Sequence, residues 1–360
     1  MPIICVVGLV RFTPGLLPAY GLHPIVVVAI GTLLGGIAQL ALQWPTLHKE
    51  GFRYRVDVDW RDEGLRRMLT LMGPGTIGMA ATQINVLVNS VLATGEGTGA
   101  VSWLDFAFRI MYLPIGLFGV SIATAATPAI SRMVAEQDFP RIRSTLAGAL
   151  GLMLFLNLPA TIGLIILARP IIAVIFEHGE FAASDTINTA AALQLYAIGL
   201  IGYSIVRIIS PTFYAVGRSR IPVMVSAGSV LVNIALNVTL VRTLGYRGLA
   251  LGTSITAIIN ASVQLFLLRR EIHGLEGSRI AASFVKVMAA STVMGAVTWS
   301  VHEVMIGMLP GAALVLQMVR LLVTITLSLA TLAAVAQVLR IQEFGEARDL
   351  ILGRLKRMVG

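Results

Sequence analysis

Apolar stretches of about 20 residues recur along the whole chain, separated by shorter polar stretches rich in arginine. About 20 helical residues are enough to cross a hydrocarbon core about 30 Å thick. The pattern therefore predicts about ten spanning helices, at residues 2–19, 22–45, 68–94, 103–127, 146–168, 188–214, 221–241, 247–268, 280–301 and 312–338. The first is the weakest, because Arg11, Pro14 and Pro18 interrupt it. The expected fold is an all-α, polytopic membrane helix bundle.

Charge placement tests this map independently. The connections predicted for one side (46–67, 128–145, 215–220, 269–279 and the tail from 339) carry 19 basic residues, and the opposite connections carry only Arg169, Arg242 and Arg247. Basic residues accumulate on the cytoplasmic side of membrane proteins, so both termini are expected there. Composition agrees. Only 12% of the 360 residues are charged and 56% are hydrophobic, whereas a soluble domain carries roughly a quarter charged. The net charge of +9 is then a membrane signature, and no nucleic-acid partner is expected.

The amino terminus, Met1-Pro2-Ile3-Ile4-Cys5, has no basic region ahead of its apolar run. It makes a poor signal peptide and resembles the interior of a longer membrane protein. Cys5 is the single cysteine, so no internal disulfide is expected, and it reads as a small buried hydrophobe. The tail from Glu343 to Val359 is charged and amphipathic, suited either to a lipid surface or to solvent.

Three spans carry polar stripes at helical spacing: Thr82, Asn85 and Asn89; Ser226, Ser229, Asn233 and Asn237; and Thr253, Thr256, Asn260 and Gln264. Steps of three or four residues return to one helix face. Amides facing lipid would cost several kcal/mol, so these faces must point into the bundle. Two readings stand: hydrogen bonds between helices, or a hydrated cavity wall with a cation site whose oxygens suit Na⁺. Gly248 and Gly252 have the spacing of close helix packing.

Arg109 lies in an apolar run, Phe106-Ala107-Phe108-Arg109-Ile110-Met111-Tyr112. An arginine at mid-bilayer costs at least about 2.5 kcal/mol. It is expected to face a cavity or an anion, to snorkel to an interface, or to pair with Asp105 one turn earlier. Arg207 is a similar case, whereas Lys286 and Arg320 read as snorkelling side chains. Pro74, Pro114, Pro159 and Pro211 interrupt spans, as hinges of transporters do. There is no phosphate-binding Gly-x-x-x-x-Gly-Lys loop and no metal-ligand spacing. No paired carboxylates within the spans suggest catalysis. Energy is expected from a Na⁺ or H⁺ gradient, the membrane potential or the cargo's own gradient.

Several stretches resemble one family, the lipid II flippases (MurJ, also MviN) of the multidrug/oligosaccharidyl-lipid/polysaccharide exporter superfamily. They are Phe213-Tyr214-Ala215-Val216-Gly217-Arg218-Ser219-Arg220-Ile221-Pro222-Val223; Arg169-Pro170-Ile171-Ile172 through Phe176-Glu177-His178-Gly179-Glu180-Phe181 to Asp185-Thr186; and Leu113-Pro114-Ile115-Gly116-Leu117-Phe118-Gly119-Val120. Leu34–Gln39 and Gly248–Ser254 also fit. The resemblance implies an exporter architecture like that of the multidrug (MATE) transporters, with fourteen spans and cytoplasmic termini, so the family's first four helices would be missing from a ten-span chain. It divides the chain into the remainder of an amino-terminal lobe with its linker (1–67), a six-span carboxy-terminal lobe (68–270), two further spans (271–340) and a cytoplasmic amphipathic tail (341–360).

By the same resemblance, the chain would sit in the bacterial inner membrane and move undecaprenyl-pyrophosphate-linked peptidoglycan precursor outward by alternating access. Membrane lipids and other cell-wall synthesis proteins would be its partners. The cargo's phosphates would meet Arg109 and Arg207, and the last two spans would offer a groove for the lipid tail. Departures are visible. Phe108 stands where the family has an aspartate, and Tyr112 where it has a polar or acidic residue. Asn89 and Asn237 replace family carboxylates, while Asn233 and Thr253 match, which brings cation coupling into question. Rival readings are a related exporter of a drug or another lipid-linked glycan, an intramembrane enzyme using Asp105, Glu177, Glu180 or Asp185, and a non-transporting fragment.

Overall fold

The computed structural model of the chain describes residues 25–51, 62–63, 65–66, 83–311 and 313–345. Predicted span 2–19, the first part of span 68–94, Cys5, Pro74, Thr82 and the tail beyond residue 345 lie outside the described residues. The chain divides into two units, Met1–Met68 and Leu69–Gly360.

In the first unit, α1 (Ile25–Lys49) occupies predicted span 22–45 and ends with His48 and Lys49 in its last turn, where cations suit the helix dipole. Leu33, Ile37 and Leu40 are exposed along it.

The second unit is built from α2 (Gln83–Thr94), α3 (Ala100–Ala135), α4 (Phe139–Ile166), α5 (Ala168–Phe176), α6 (Ala183–Ala215), α7 (Arg220–Leu244), α8 (Tyr246–Glu271), α9 (Gly277–Met308) and α10 (Leu314–Val338). No strand occurs among the described residues. Seven of these helices, α3, α4 and α6 to α10, are long and apolar enough to cross a membrane.

Some helix ends depart from the apolar pattern, and at the start of α4 it is a cap that sets the boundary. The expected connection 128–145 shrinks to three residues: α3 runs through Pro128 to Ala135, and α4 begins at Phe139. Asp138 caps α4 by accepting the Arg141 N–H at 3.1 Å. Pro140 falls in the first turn, where a missing N–H breaks no bond. Residues 169–176, read as part of a connection, instead belong to α5, which starts at Ala168 after a break at Leu167. Of the prolines expected to interrupt spans, Pro159 and Pro211 lie inside continuous helices. Pro114 leads directly into one π-helical turn, Ile115–Gly119.

Helix α6 is the axis, packed against α3, α4, α5 and α8. Its approach to α8 depends on glycine: a Cβ on Gly199 would lie 2.8 Å from the Ser254 Cα, and one on Gly202 would lie 2.6 Å from the Ala257 carbonyl carbon. Ser254 Oγ crosses the same contact, donating to the Leu195 carbonyl at 2.7 Å. The α7–α8 turn uses Gly245 at φ +61°, and Gly248 and Gly252 let α8 sit against Leu240 and Asn237, as their spacing predicts. Beside this group, α4, α9 and α10 share a core of Leu154, Leu158, Val287, Met294 and Leu332.

Arginine-rich connections gather at one end of this unit. There Arg143 donates to the Ile272 carbonyl at 2.9 Å and Arg218 pairs with Glu271 at 3.2 Å. At the other end Trp103 donates to Asp185 at 2.8 Å, and Tyr246 to Asn188 at 3.0 Å. Arg320 reaches out of its span to the Gly311 carbonyl at 2.7 Å, the snorkelling its position predicts. Residues 341–345, which open the tail expected to lie on a lipid surface or in solvent, are docked on the bundle. Ile341 is buried, Glu343 accepts from Ser283 Oγ at 2.6 Å, and Phe344 packs on Phe155.

Candidate functional site

Helix α7 is polar inside and apolar outside. Its buried residues are Pro222, Ser229, Asn233 and Asn237, whereas Met224 and Leu231 are exposed. This inversion suits a lipid-solvated helix whose polar face meets polar partners. Those partners come from α2 and α8. Asn237 Nδ2 donates to Asn89 Oδ1 at 2.6 Å and to Asn233 Oδ1 at 3.0 Å. Asn89 Nδ2 reaches Asn233 Oδ1 at 3.5 Å, and Asn233 Nδ2 lies 3.4 Å from Thr253 Oγ1 and 3.3 Å from Thr256 Oγ1. Both threonines donate onward to backbone carbonyls, Leu249 and Gly252. The stripes read from the sequence thus converge, and hydrogen bonding between helices is what joins them.

Asn85 lies one turn before Asn89 with its Oδ1 buried and unpartnered, as is Asn237 Oδ1. Two free amide oxygens are the only feature here that favours a cation. Against it, the cluster holds no carboxylate, and three carboxamide N–H₂ groups point inward at oxygen atoms that a cation would need. The donor set of this cluster does not fit a cation site. Among the described residues, no group of three His, Cys, Asp or Glu side chains has metal-binding proximity.

The polar face of α8 continues past the cluster to a second site. Gln264 Nε2 donates to Asn260 Oδ1 at 2.8 Å, and Ser210 Oγ on α6 donates to Gln264 Oε1 at 3.0 Å. Asn260 and Ser210 line a cleft of about 750 Å³ with Thr124, Thr127, Tyr203 and Arg207. That volume suits a small-molecule group. Arg207 is exposed at its wall. One guanidinium nitrogen donates to the Tyr112 hydroxyl, and the group lies 5.7 Å from the ring centroid. Tyr112 in turn stacks on Phe108 at 5.8 Å, and Phe108 meets Tyr196 and Tyr203 edge-on.

Arg109 is not among the residues lining this cleft. It pairs with Asp105 Oδ2 at 2.9 Å across one helical turn, and both side chains are more than half exposed. Of the two arginines expected to meet an anion, the structure gives Arg109 a carboxylate partner and places Arg207 on the cleft. Tyr112 was legible in the sequence only as a family departure. Its role as Arg207's partner, from 95 residues away, carried no local signal.

A second cavity, of about 280 Å³, is almost wholly apolar. Pro114 and Phe118 of α3, Pro159 and Gly163 of α4, and Ile325 and Leu329 of α10 line it. Thr298 and Ser328 also face it, but their hydroxyls are hydrogen-bonded to each other at 2.7 Å, and the one that does not donate in that bond donates to its own helix backbone. The π-helical turn of α3 separates the two spaces: Pro114 and Phe118 border the apolar cavity, Val120 and Thr124 the polar cleft.

Three of the four carboxylates named for an enzyme, Asp105, Glu177 and Asp185, have structural partners. Asp185 accepts the Trp103 indole and the Ala182 N–H at 2.9 Å, and Glu177 accepts from Thr186 at 2.7 Å.

Comparison with known proteins places this geometry. The family model described as lipid II flippase MurJ matches residues 2–319. A probable lipid II flippase MurJ from Vibrio cholerae is 35% identical over 283 residues, covering 77% of this chain and 53% of that protein. One from Haemophilus influenzae is 31% identical, covering 77% and 55%. The chain thus spans about half the length of the curated relatives it matches. A solved lipid II flippase MurJ in an inward closed conformation superposes with a TM-score of 0.69 at 27% identity, over 88% of this chain and 63% of that one. An inward-facing MATE-family multidrug transporter shares the fold, with a TM-score of 0.63 at 19% identity. A multi-pass inner-membrane protein is what this likeness and the apolar helices describe. The converging asparagines, the arginine cleft and the apolar cavity therefore sit in a member of the lipid II flippase MurJ family.

Proposed function

We propose that this chain forms the carboxy-terminal lobe and tail-binding spans of a lipid II flippase, moving undecaprenyl-pyrophosphate-linked peptidoglycan precursor across the inner membrane without chemical change. One observation carries the reading. A cleft inside a lipid-solvated bundle presents Arg207 beside hydroxyl and amide groups, and it shares the wall of α3 with an apolar cavity. An amphiphile with an anionic head and a hydrocarbon tail satisfies both spaces at once. The pyrophosphate belongs at Arg207, the sugar and peptide along Thr127, Ser210 and Asn260, and the isoprenoid in the cavity.

The arginine-rich end faces the cytoplasm in this reading, with both termini on that side. The driving force follows from the cargo. A potential negative inside favours outward movement of an anion by about 2.3 kcal/mol per charge per 100 mV. No cation need bind the asparagine cluster for that.

Complementation tests the function. A host depleted of its own lipid II flippase would express this chain alone, the chain joined to the amino-terminal helices of a full-length relative, and each form with Arg207→Ala. Rescue by at least one form, abolished by Arg207→Ala at equal membrane abundance, supports the reading. Failure of every form despite normal membrane insertion overturns the cargo assignment.

A further inference from the structure

Arg109 and Arg207 differ in the charge of the group each one holds. Arg109 binds Asp105, so its positive charge is compensated within its own helix. Arg207 binds the Tyr112 hydroxyl, a neutral phenol, and rests near the face of the same ring. No carboxylate is among the residues lining its cleft. Of these two arginines, Arg207 is the one with no carboxylate partner among the described residues.

Tyr112 is itself fixed, by stacking on Phe108 and through it by Tyr196 and Tyr203. A guanidinium on a long side chain otherwise loses rotamer freedom when it engages a ligand. Holding it beforehand at the cleft wall removes that cost.

We propose that Tyr112 is a positioning residue that presents Arg207 as an uncompensated cation and releases it to a phosphate or pyrophosphate ester, making Arg207 rather than Arg109 the anion-selecting group. This inference rests on the reading of a phosphate-bearing cargo. The exchange is favourable because two phosphate oxygens accept the planar guanidinium in a bidentate, charge-assisted pair. The phenol gives up only a neutral acceptor contact, and its O–H is then free to donate to a phosphate oxygen. At Arg109 the same ligand must displace a carboxylate. The exchange there replaces one ion pair by another.

Native mass spectrometry of the full chain in detergent micelles tests this, with undecaprenyl pyrophosphate as probe and undecaprenol as the uncharged control. The wild type should prefer the pyrophosphate. Arg207→Ala should reduce that preference about tenfold or more, and more than Arg109→Ala does, while Arg207→Lys restores part of it. Tyr112→Phe should weaken it several-fold. Tyr112→Glu should weaken it further with Arg207 still present, because the new carboxylate competes with the phosphate for the guanidinium. Asp105→Asn should strengthen binding by uncovering Arg109. Should Tyr112→Glu not fold, Tyr112→Phe and Arg207→Lys still decide the matter. A larger loss from Arg109→Ala than from Arg207→Ala, or a Tyr112→Phe protein equal to wild type, overturns the proposal and leaves the cargo reading standing. A wild type that binds both lipids equally overturns the cargo reading itself.

Discussion

The carboxamide of Asn237 on α7 donates to Oδ1 of Asn89 on α2 at 2.6 Å, joining helices whose contacting residues lie 148 positions apart. The bond closes a neutral cluster, in which amide hydrogens already occupy most of the oxygen atoms. Wild-type thermal stability in micelles should accordingly be the same in Na⁺ and K⁺ at equal ionic strength. Asn89→Asp combined with Asn237→Asp changes the sign of the site. Two carboxylates would face Asn233 Oδ1 with no cation among the cluster's side chains. The double variant should melt lower than wild type in K⁺ and recover in Na⁺. Sodium-specific stabilisation of the wild type would show that the cluster binds the ion after all.

The contact between α6 and α8 gives a second prediction. A Cβ on Gly202 would stand 2.6 Å from backbone carbon of Ala257, whereas one on Gly148 of α4 meets nothing within 4 Å. Backbone cannot rotate away as a side chain end does. Gly202→Ala should destabilise by about 1–3 kcal/mol through overpacking. Gly148→Ala should be neutral or stabilise by up to about 1 kcal/mol through helix propensity. Unfolding midpoints of the two variants in one detergent would compare them directly.

How far the sequence spoke for the fold depended on the range of each interaction. Membrane thickness acts on every span, so the apolar runs marked α3, α4 and α6 to α10. Capping acts on single residues, so Asp138 moved the start of α4 from where hydropathy placed it. The stripe on α7 was visible because helical periodicity is local, but nothing local says that it meets Asn89. Arg207 was visible as a costly charge. Its partner was not, since a tyrosine at position 112 is unremarkable until α3 and α6 are packed together.

The apolar cavity should respond to filling. Ala160 and Gly163 line it from α4, and a Cβ on Gly163 meets nothing within 4 Å. Ala160→Phe or Gly163→Leu would take up part of about 280 Å³ with little cost to the fold. Either variant should keep a near-wild-type melting point yet weaken binding of undecaprenyl pyrophosphate relative to inorganic pyrophosphate. Equal weakening of both ligands would place the tail elsewhere.

Glu343 supplies the last prediction. It was expected to lead a tail suited either to a lipid surface or to solvent; it is 5% exposed, accepts from Ser283 Oγ at 2.6 Å, and presses on α4 where Gly151 lacks a side chain. With Ile341 buried and Phe344 half-buried beside it, this short segment ties the chain after α10 to both α4 and α9. Glu343→Gln retains an acceptor for Ser283 and should cost little. Glu343→Ala leaves the Ser283 hydroxyl without its partner, and such a loss costs about 1–3 kcal/mol where the group stays buried. Gly151→Val should act the same way from the opposite side, by expelling the carboxylate. If the docking is real, the Glu343→Ala and Gly151→Val effects will be less than additive in a double-mutant cycle, because each removes the same contact. Additive losses would mean that the two residues do not meet.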